Sequence, residues 1–129
     1  MTMQQYYLTS IEQADKYLKA AMGGLNREAV FTPEILYNIL GMAIEQYSMA
    51  FLYHNESMPD NHTFLDLVEA MSRVASFPKE LGEELRTLQG YQEICCLDSY
   101  QKKAPDRATI LGMIETARKL ESFVKSSCE

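Results

Sequence analysis

Both histidines of this chain lie in one short segment, His54 to His62, which also carries the carboxylates of Glu56 and Asp60. Imidazole and carboxylate groups are the side chains that commonly transfer protons or bind metal ions. No His-x₃-His pair or other zinc-type spacing accompanies them, and the segment contains no cysteine. The Glu-x-x-His metal motif of helical bundles is absent from the whole sequence. We therefore expect a polar loop between helices, with no metal ion and no cofactor.

Residues suited to nucleophilic or phosphate chemistry are scattered along the rest of the chain. The three cysteines, Cys95, Cys96 and Cys128, do not stand beside a histidine in the sequence, and their odd number without metal spacing is typical of reduced thiols. No glycine-rich phosphate loop is present. Tyr91 and Tyr100 bracket the end of a predicted helix, where their rings could stack on a base, although packing at the rim of a bundle is the more common role. The sequence predicts no catalytic residue.

Five predicted helices must position these side chains, because apolar residues recur with a period near 3.6 along most of the chain. The first helix covers about residues 4–22 and is expected to stop at Gly23–Gly24, since glycine ends many helices. Thr32 and Pro33 begin the second helix as its cap and first residue, and Thr63 caps the third. Short loops between long helices favour antiparallel neighbours. The prediction is an all-α fold, an antiparallel up-and-down helical bundle of four to five helices, in a single domain of residues 1–129.

The second predicted helix is apolar on two sides. Its core stripe lies opposite a second stripe formed by Met42, Met49 and Tyr53, where a surface helix should be polar. The second stripe is either covered by the chain itself or forms the interface of a homodimer, since exposed Met and Tyr are typical interface residues. Glu45 lies beside this stripe, as a rim charge in water or as a buried carboxylate with a partner.

The composition predicts one folded domain with an acidic surface. The chain has 129 residues, 47% of them hydrophobic, and a formal net charge of −6. Such a surface repels a phosphate backbone on average, so nucleic acid is not expected as a partner of the chain on its own. No apolar run approaches the roughly 20 residues of a membrane span, and the N-terminal residues lack a signal-peptide pattern. We expect no membrane association and a cytoplasmic location.

These features together resemble the HEPN domains, small helical bundles with a proposed nucleotide-binding role. The resemblance covers about residues 33–124 and is carried by Ala43-Ile44-Glu45, by Pro59-x-x-His62-x-x-x-x-Leu67, and by a Tyr91-bearing helix that ends near Asp98-Ser99-Tyr100. It implies one of two functions. Many members of the family are metal-independent ribonucleases with an Arg-x₄₋₆-His motif, and others are substrate-binding or partner domains of small nucleotidyltransferases, often as dimers.

The arginine of the ribonuclease motif is missing from this sequence. The positions that it would occupy hold Tyr47, Ser48 and Met49 before His54, and Asn55, Glu56 and Ser57 before His62. The resemblance therefore implies a non-catalytic, dimeric binding or partner module, which assists a nucleotidyltransferase or binds a nucleotide. Its candidate ligand-binding residues are Glu45, His62, Tyr91 and Tyr100, and its candidate dimer interface is Met42, Met49 and Tyr53.

Two alternatives remain. A divergent ribonuclease would combine His54 or His62 with a distant arginine, Arg73 or Arg86, if the fold brings their side chains together. A purely structural interaction protein would have no ligand site, and the second stripe and the acidic surface fit that function equally well.

Overall fold

The structure, a computed structural model, describes residues 2–92 and 105–128. These residues form six helical segments and no strand: α1 (Met3–Gly24), α2 (Pro33–Asn55), α3 (Phe64–Ser72), α4 (Lys79–Thr87), α5 (Gln89–Gln92) and α6 (Arg107–Ser127). The α5 segment is a single turn of four residues. The prediction of an all-α helical bundle is confirmed.

Local sequence signals begin the helices where the sequence predicts. The Thr32 hydroxyl accepts a hydrogen bond from the backbone N–H of Ile35 at 3.3 Å, and Pro33 is the first residue of α2. The Thr63 hydroxyl accepts from the backbone N–H of Asp66 at 3.2 Å at the start of α3. Each hydroxyl thus satisfies one of the backbone donors that a helix N-terminus leaves unpaired.

The glycine pair at the end of α1 plays a different part from the predicted one. Both Gly23 and Gly24 belong to the helix, and the residue that ends it is Leu25. A Cβ atom on Gly24 would lie 2.7 Å from the ring of Phe31, whereas one on Gly23 would meet nothing within 4 Å. The helix thus ends at the glycine pair, as predicted, but neither glycine has the positive φ by which glycine usually ends a helix. Gly24 instead lets the α1–α2 connection fold closely against α1.

The central element of the bundle is α2, on which α1, α3 and α6 all pack. Tyr47, Phe51 and Leu52 on α2 are at most 1% exposed, because neighbouring helices cover them. The Phe51 ring lies 5.2 Å from the ring of Phe123 on α6 and 5.9 Å from that of Phe77, which precedes α4. This aromatic cluster joins α6 and the α3–α4 connection to α2.

No helix of the described residues has the length and apolar character needed to cross a lipid bilayer.

Candidate functional site

The loop that carries both histidines begins where α2 ends in a left-handed residue. Glu56 has a φ of 53°, and its N–H and that of Ser57 bond back to the carbonyls of Tyr53 and Leu52 at 3.3 and 3.0 Å. These bonds satisfy two of the last carbonyl groups of α2 and end the helix at Glu56. The Ser57 hydroxyl also donates to the carbonyl of Ala70 on α3 at 3.2 Å. The start of the loop is therefore fixed to two helices.

The structure brings two of the predicted ligand-binding residues, Glu45 and His62, into direct contact. The His62 Nδ1 lies 2.5 Å from the Glu45 Oε2, although the residues are 17 positions apart in the chain. The His62 side chain is 52% exposed and that of Glu45 is 31% exposed. Glu45 is thus a carboxylate at the surface with a partner, and the contact ties the end of the loop back to the middle of α2.

The second histidine and Arg73, one of the two arginines of the ribonuclease alternative, have other partners. The His54 ring lies 6.0 Å from the ring of Tyr7 on α1. Arg73 donates from Nη1 to the carbonyl of Met58 in the same loop at 3.2 Å, and its Nη2 lies 3.5 Å from Glu69. Arg86 is in the last turn of α4 and has no ion pair within the described residues. Of the two arginines, only Arg73 therefore touches the histidine-bearing loop.

The two candidate tyrosines are described less fully than Glu45 and His62. Tyr91 belongs to the α5 turn, which follows α4 directly, and the structure describes its backbone but not its side chain. Tyr100 lies outside the described residues. Their part in the site stays a prediction.

The second apolar stripe of α2 divides into a covered half and an open half. Towards the C-terminus of α2, Met49 is only 6% exposed, and the Tyr53 ring stacks on the ring of Tyr6 from α1 with centroids 5.0 Å apart. Towards the N-terminus, Met42 is 44% exposed and Ile35, two turns earlier on the same side, is 42% exposed. The chain itself covers Met49, so among the described residues on this side of α2 the exposed large apolar side chains belong to the open half.

The structure contains a polar network between α1, α2 and α6 that the sequence did not predict. The buried Tyr47 of α2 donates its hydroxyl to the Asp15 Oδ1 of α1 at 2.6 Å. Lys125 of α6 lies 2.9 Å from the same Asp15 oxygen and 2.8 Å from the Glu121 Oε2. The network borders a groove of about 600 Å³ between α1 and α6. One signal in the sequence pointed to it: Tyr47 lies on the core stripe, and a buried tyrosine hydroxyl needs a partner.

Protonation states in this network follow from burial and neighbouring charges. Burial, and next the hydrogen bond to Asp15, raise the pKa of the Tyr47 phenol far above its ordinary value, so it remains a neutral donor. Burial alone would lower the pKa of Lys125, but its contacts with Glu121 and Asp15 together outweigh that effect and raise it. Lys125 is therefore a cation that both carboxylates share.

Metal-binding groups are not clustered in the described part of the chain, where no three His, Cys, Asp or Glu side chains are placed to hold one ion. The free thiol described, that of Cys128, is buried at the end of α6, and burial raises its pKa. A thiol of this kind is a weak nucleophile, because its reactive thiolate form is disfavoured.

The fold is similar to that of one solved structure, described as an archaeal HEPN homologue. The TM-score is 0.69, the sequence identity is 14%, and the match covers 100% of this chain and 99% of that one. No protein-family model matches the sequence, and no curated protein matches it either. The likeness over the whole chain shows that the fold is HEPN-like, as the residues around Glu45 and His62 implied.

Proposed function

We propose that this chain, with its HEPN-like fold, is a non-catalytic binding module that pairs with a second copy of itself. In addition to this self-association, the module would assist a protein of the nucleotidyltransferase class or bind a nucleotide. The observation that carries the proposal is the open half of the second α2 stripe, here called the α2 strip and defined by Ile35, Ile39 and Met42. Contiguous apolar side chains on a surface helix mark interaction sites more often than isolated ones do.

The exposure of the α2 strip supports association. Ile35 and Met42 are both more than 40% exposed, and the partly buried Ile39 lies between them on the same side of the helix. Methionine and isoleucine side chains of this kind lose unfavourable contact with water when a partner covers them. A two-fold symmetric dimer would place the same strip of each copy against that of the other.

The polar contact beside the strip supports a defined edge to the interface. Glu45 follows Met42 by three residues and is therefore its neighbour on the helix surface. The His62 contact holds the carboxylate in place and leaves the imidazole more than half exposed. Protein interfaces usually have an apolar centre and a polar rim, so the Glu45–His62 pair suits a position at the rim of the dimer interface. The exposed imidazole would also suit a hydrogen bond to a bound nucleotide.

The non-catalytic part of the proposal is supported by what surrounds the histidines. His62 contacts a carboxylate and His54 lies beside an aromatic ring, so in neither contact is a guanidinium placed next to the imidazole. A cation near the imidazole is what phosphodiester cleavage would need to stabilise charge on the phosphate. The nucleotidyltransferase class of the partner comes from the family resemblance alone.

Sedimentation velocity tests the self-association. We expect the wild-type chain to sediment as a dimer and Met42→Lys to sediment as a monomer, because a buried lysine at the strip would be uncompensated. Leu111→Lys is the matched control, since Leu111 on α6 is 45% exposed and lies outside the strip.

A calorimetric titration with ATP, on wild type and on His62→Ala, tests nucleotide binding. A monomeric wild type that binds neither ATP nor a co-purifying nucleotidyltransferase contradicts the proposal.

Arg73 favours the divergent ribonuclease as a second candidate, because its guanidinium reaches the carbonyl of Met58, four residues before His62. In that function His62 would transfer the proton and Arg73 would bind the phosphate. Cleavage of a single-stranded RNA by the wild type, lost in both His62→Ala and Arg73→Ala, would establish it. Equal RNA cleavage by wild type, His62→Ala and His54→Ala would rule it out.

A further inference from the structure

The groove between α1 and α6 lies away from the Glu45–His62 pair. Tyr47 borders this groove, and it follows Glu45 by two residues on α2. Because successive helix positions are about 100° apart, two positions place these side chains about 160° from each other around the helix. Whatever binds in the groove therefore does not touch the α2 strip or its polar edge.

Positive charge is in excess along this groove. The Lys125 ammonium contacts the carboxylates of both Asp15 and Glu121 and is their shared counter-charge. The Tyr47 hydroxyl donates a further hydrogen bond to Asp15. Lys19 on α1 and Arg118 on α6 also line the groove, one on each wall. Within the described part of the chain, neither has an ion pair. The groove thus presents two exposed cations without an ion pair among the described residues, on a protein whose net charge is −6.

An apolar surface lies beside these two cations. Met22, which is 38% exposed, supplies most of this surface on the α1 wall that also carries Lys19, and Leu18 lines the groove with the small part of its side chain that is not buried. An inorganic ion would leave this surface in contact with water, whereas an organic ligand would cover it. Small-molecule sites typically combine such apolar walls with a few placed polar groups.

We propose that this groove binds a small organic anion, a carboxylate or phosphate group carried on an apolar body. Arg118 and Lys19 hold the anionic group from opposite walls, and Leu18 and Met22 pack against the body. A guanidinium offers two parallel N–H donors to a carboxylate or phosphate, and an ammonium adds a point charge. Asp15 and Lys125 border the groove. The positive charge of Lys125 partly neutralises the carboxylates of Asp15 and Glu121, and this weakens their repulsion of an anionic ligand. This inference is independent of the proposed dimer.

Titration of the ¹⁵N-labelled protein with phenyl phosphate, followed by amide chemical shifts, tests the site. We expect saturable shifts at residues of α1 and α6 that line the groove. Lys19→Gln/Arg118→Gln should bind phenyl phosphate at least about tenfold more weakly, because two charge-assisted contacts are lost. The control Lys16→Gln/Lys79→Gln removes the same charge from exposed positions outside the groove and should bind like the wild type.

Three further probes test the two halves of the proposal. Inorganic phosphate lacks the apolar body and phenol lacks the anionic group, so both should bind more weakly than phenyl phosphate. Phenylacetate tests whether a carboxylate is preferred to a phosphate. Equal phenyl phosphate affinity in the groove variant and its control, or equal affinity for inorganic phosphate and phenyl phosphate, would overturn the proposal, as would the absence of saturable binding by both phenyl phosphate and phenylacetate.

Discussion

At the residue scale, the missing side chain of Gly24 decides how closely the α1–α2 connection packs. A Cβ atom there would lie 2.7 and 2.8 Å from two carbons of the Phe31 ring, near its attachment point. Neither ring carbon can move away without shifting the whole phenyl group. We expect Gly24→Ala to lower the free energy of unfolding by about 1–3 kcal/mol, as overpacking does. Urea denaturation followed by circular dichroism measures it.

The neighbouring glycine provides the control for this prediction. Gly23 is also in α1, but a Cβ atom there meets nothing within 4 Å. Gly23→Ala should therefore raise the free energy of unfolding by roughly 0.5–1 kcal/mol, because alanine favours the helix and restricts the unfolded chain. If both variants shifted stability in the same direction, the close approach of Phe31 would not be the reason for Gly24.

The residue scale also shows what the sequence can and cannot predict. The caps at Thr32 and Thr63 were predictable, because a cap needs only residues within three positions of itself. The part played by Gly24 was not, since it depends on where the ring of Phe31 folds back. The Glu45–His62 contact lies between these cases: a family resemblance put both residues in one site, but no spacing rule fixed their contact.

At the element scale, one carboxylate joins α4 to α6. The Thr116 hydroxyl donates to the Glu84 Oε1 at 2.9 Å, and the Lys119 Nζ lies 3.0 Å from the Oε2. The hydrogen bond from Lys119 lowers the pKa of Glu84, burial opposes it, and the bond from Thr116 adds to the lowering. The folded state thus binds the proton less readily than the unfolded chain does.

This lowered pKa predicts the pH dependence of stability. The contribution of Glu84 is fully present above the carboxyl pKa of the unfolded chain, near 4.5, and is lost as the pH falls through the lower folded value. The gap in unfolding free energy between wild type and Glu84→Gln should therefore be widest at neutral pH and close in acid. Because the Glu84 side chain is 36% exposed, solvent screens the effect and added salt should reduce it.

Glu83→Gln is the control for the Glu84 experiment, since it removes the same charge from an exposed neighbour on α4. Its unfolding free energy, measured by urea denaturation between pH 3 and pH 7, should run parallel to that of the wild type. A Glu84→Gln curve that also stayed parallel down to the lowest pH would show that the α4–α6 contact does not depend on the charge of Glu84.

The groove between α1 and α6 could not be predicted from the sequence, because it depends on how three helices pack. Tyr47, Asp15 and Lys125 come from three helices and lie 32 or more positions apart, so no local period connects them. The apolar stripes predicted which faces of α1, α2 and α6 point inward. They did not predict how far apart α1 and α6 lie, and that separation is what leaves room for a groove lined by charged side chains.

At the scale of the whole molecule, the proposed homodimer links association to stability. A partner that binds only the folded chain stabilises it by mass action, by about 2.7 kcal/mol when its concentration is 100 times the dissociation constant. The melting temperature of the wild-type chain should therefore rise by several degrees as protein concentration increases over two orders of magnitude.

Variants of two exposed residues separate this linkage from other effects of concentration. Met42→Lys should melt at the same temperature at every concentration, because a lysine ammonium in the α2 strip would have to be buried without a partner. Leu111→Lys places the same charge on an exposed residue of α6 and should keep the concentration dependence of the wild type. Thermal denaturation followed by circular dichroism at 222 nm and by calorimetry covers the range. A wild-type melting temperature that did not change with concentration would mean that the α2 strip stays in water, and the proposed dimer would be wrong.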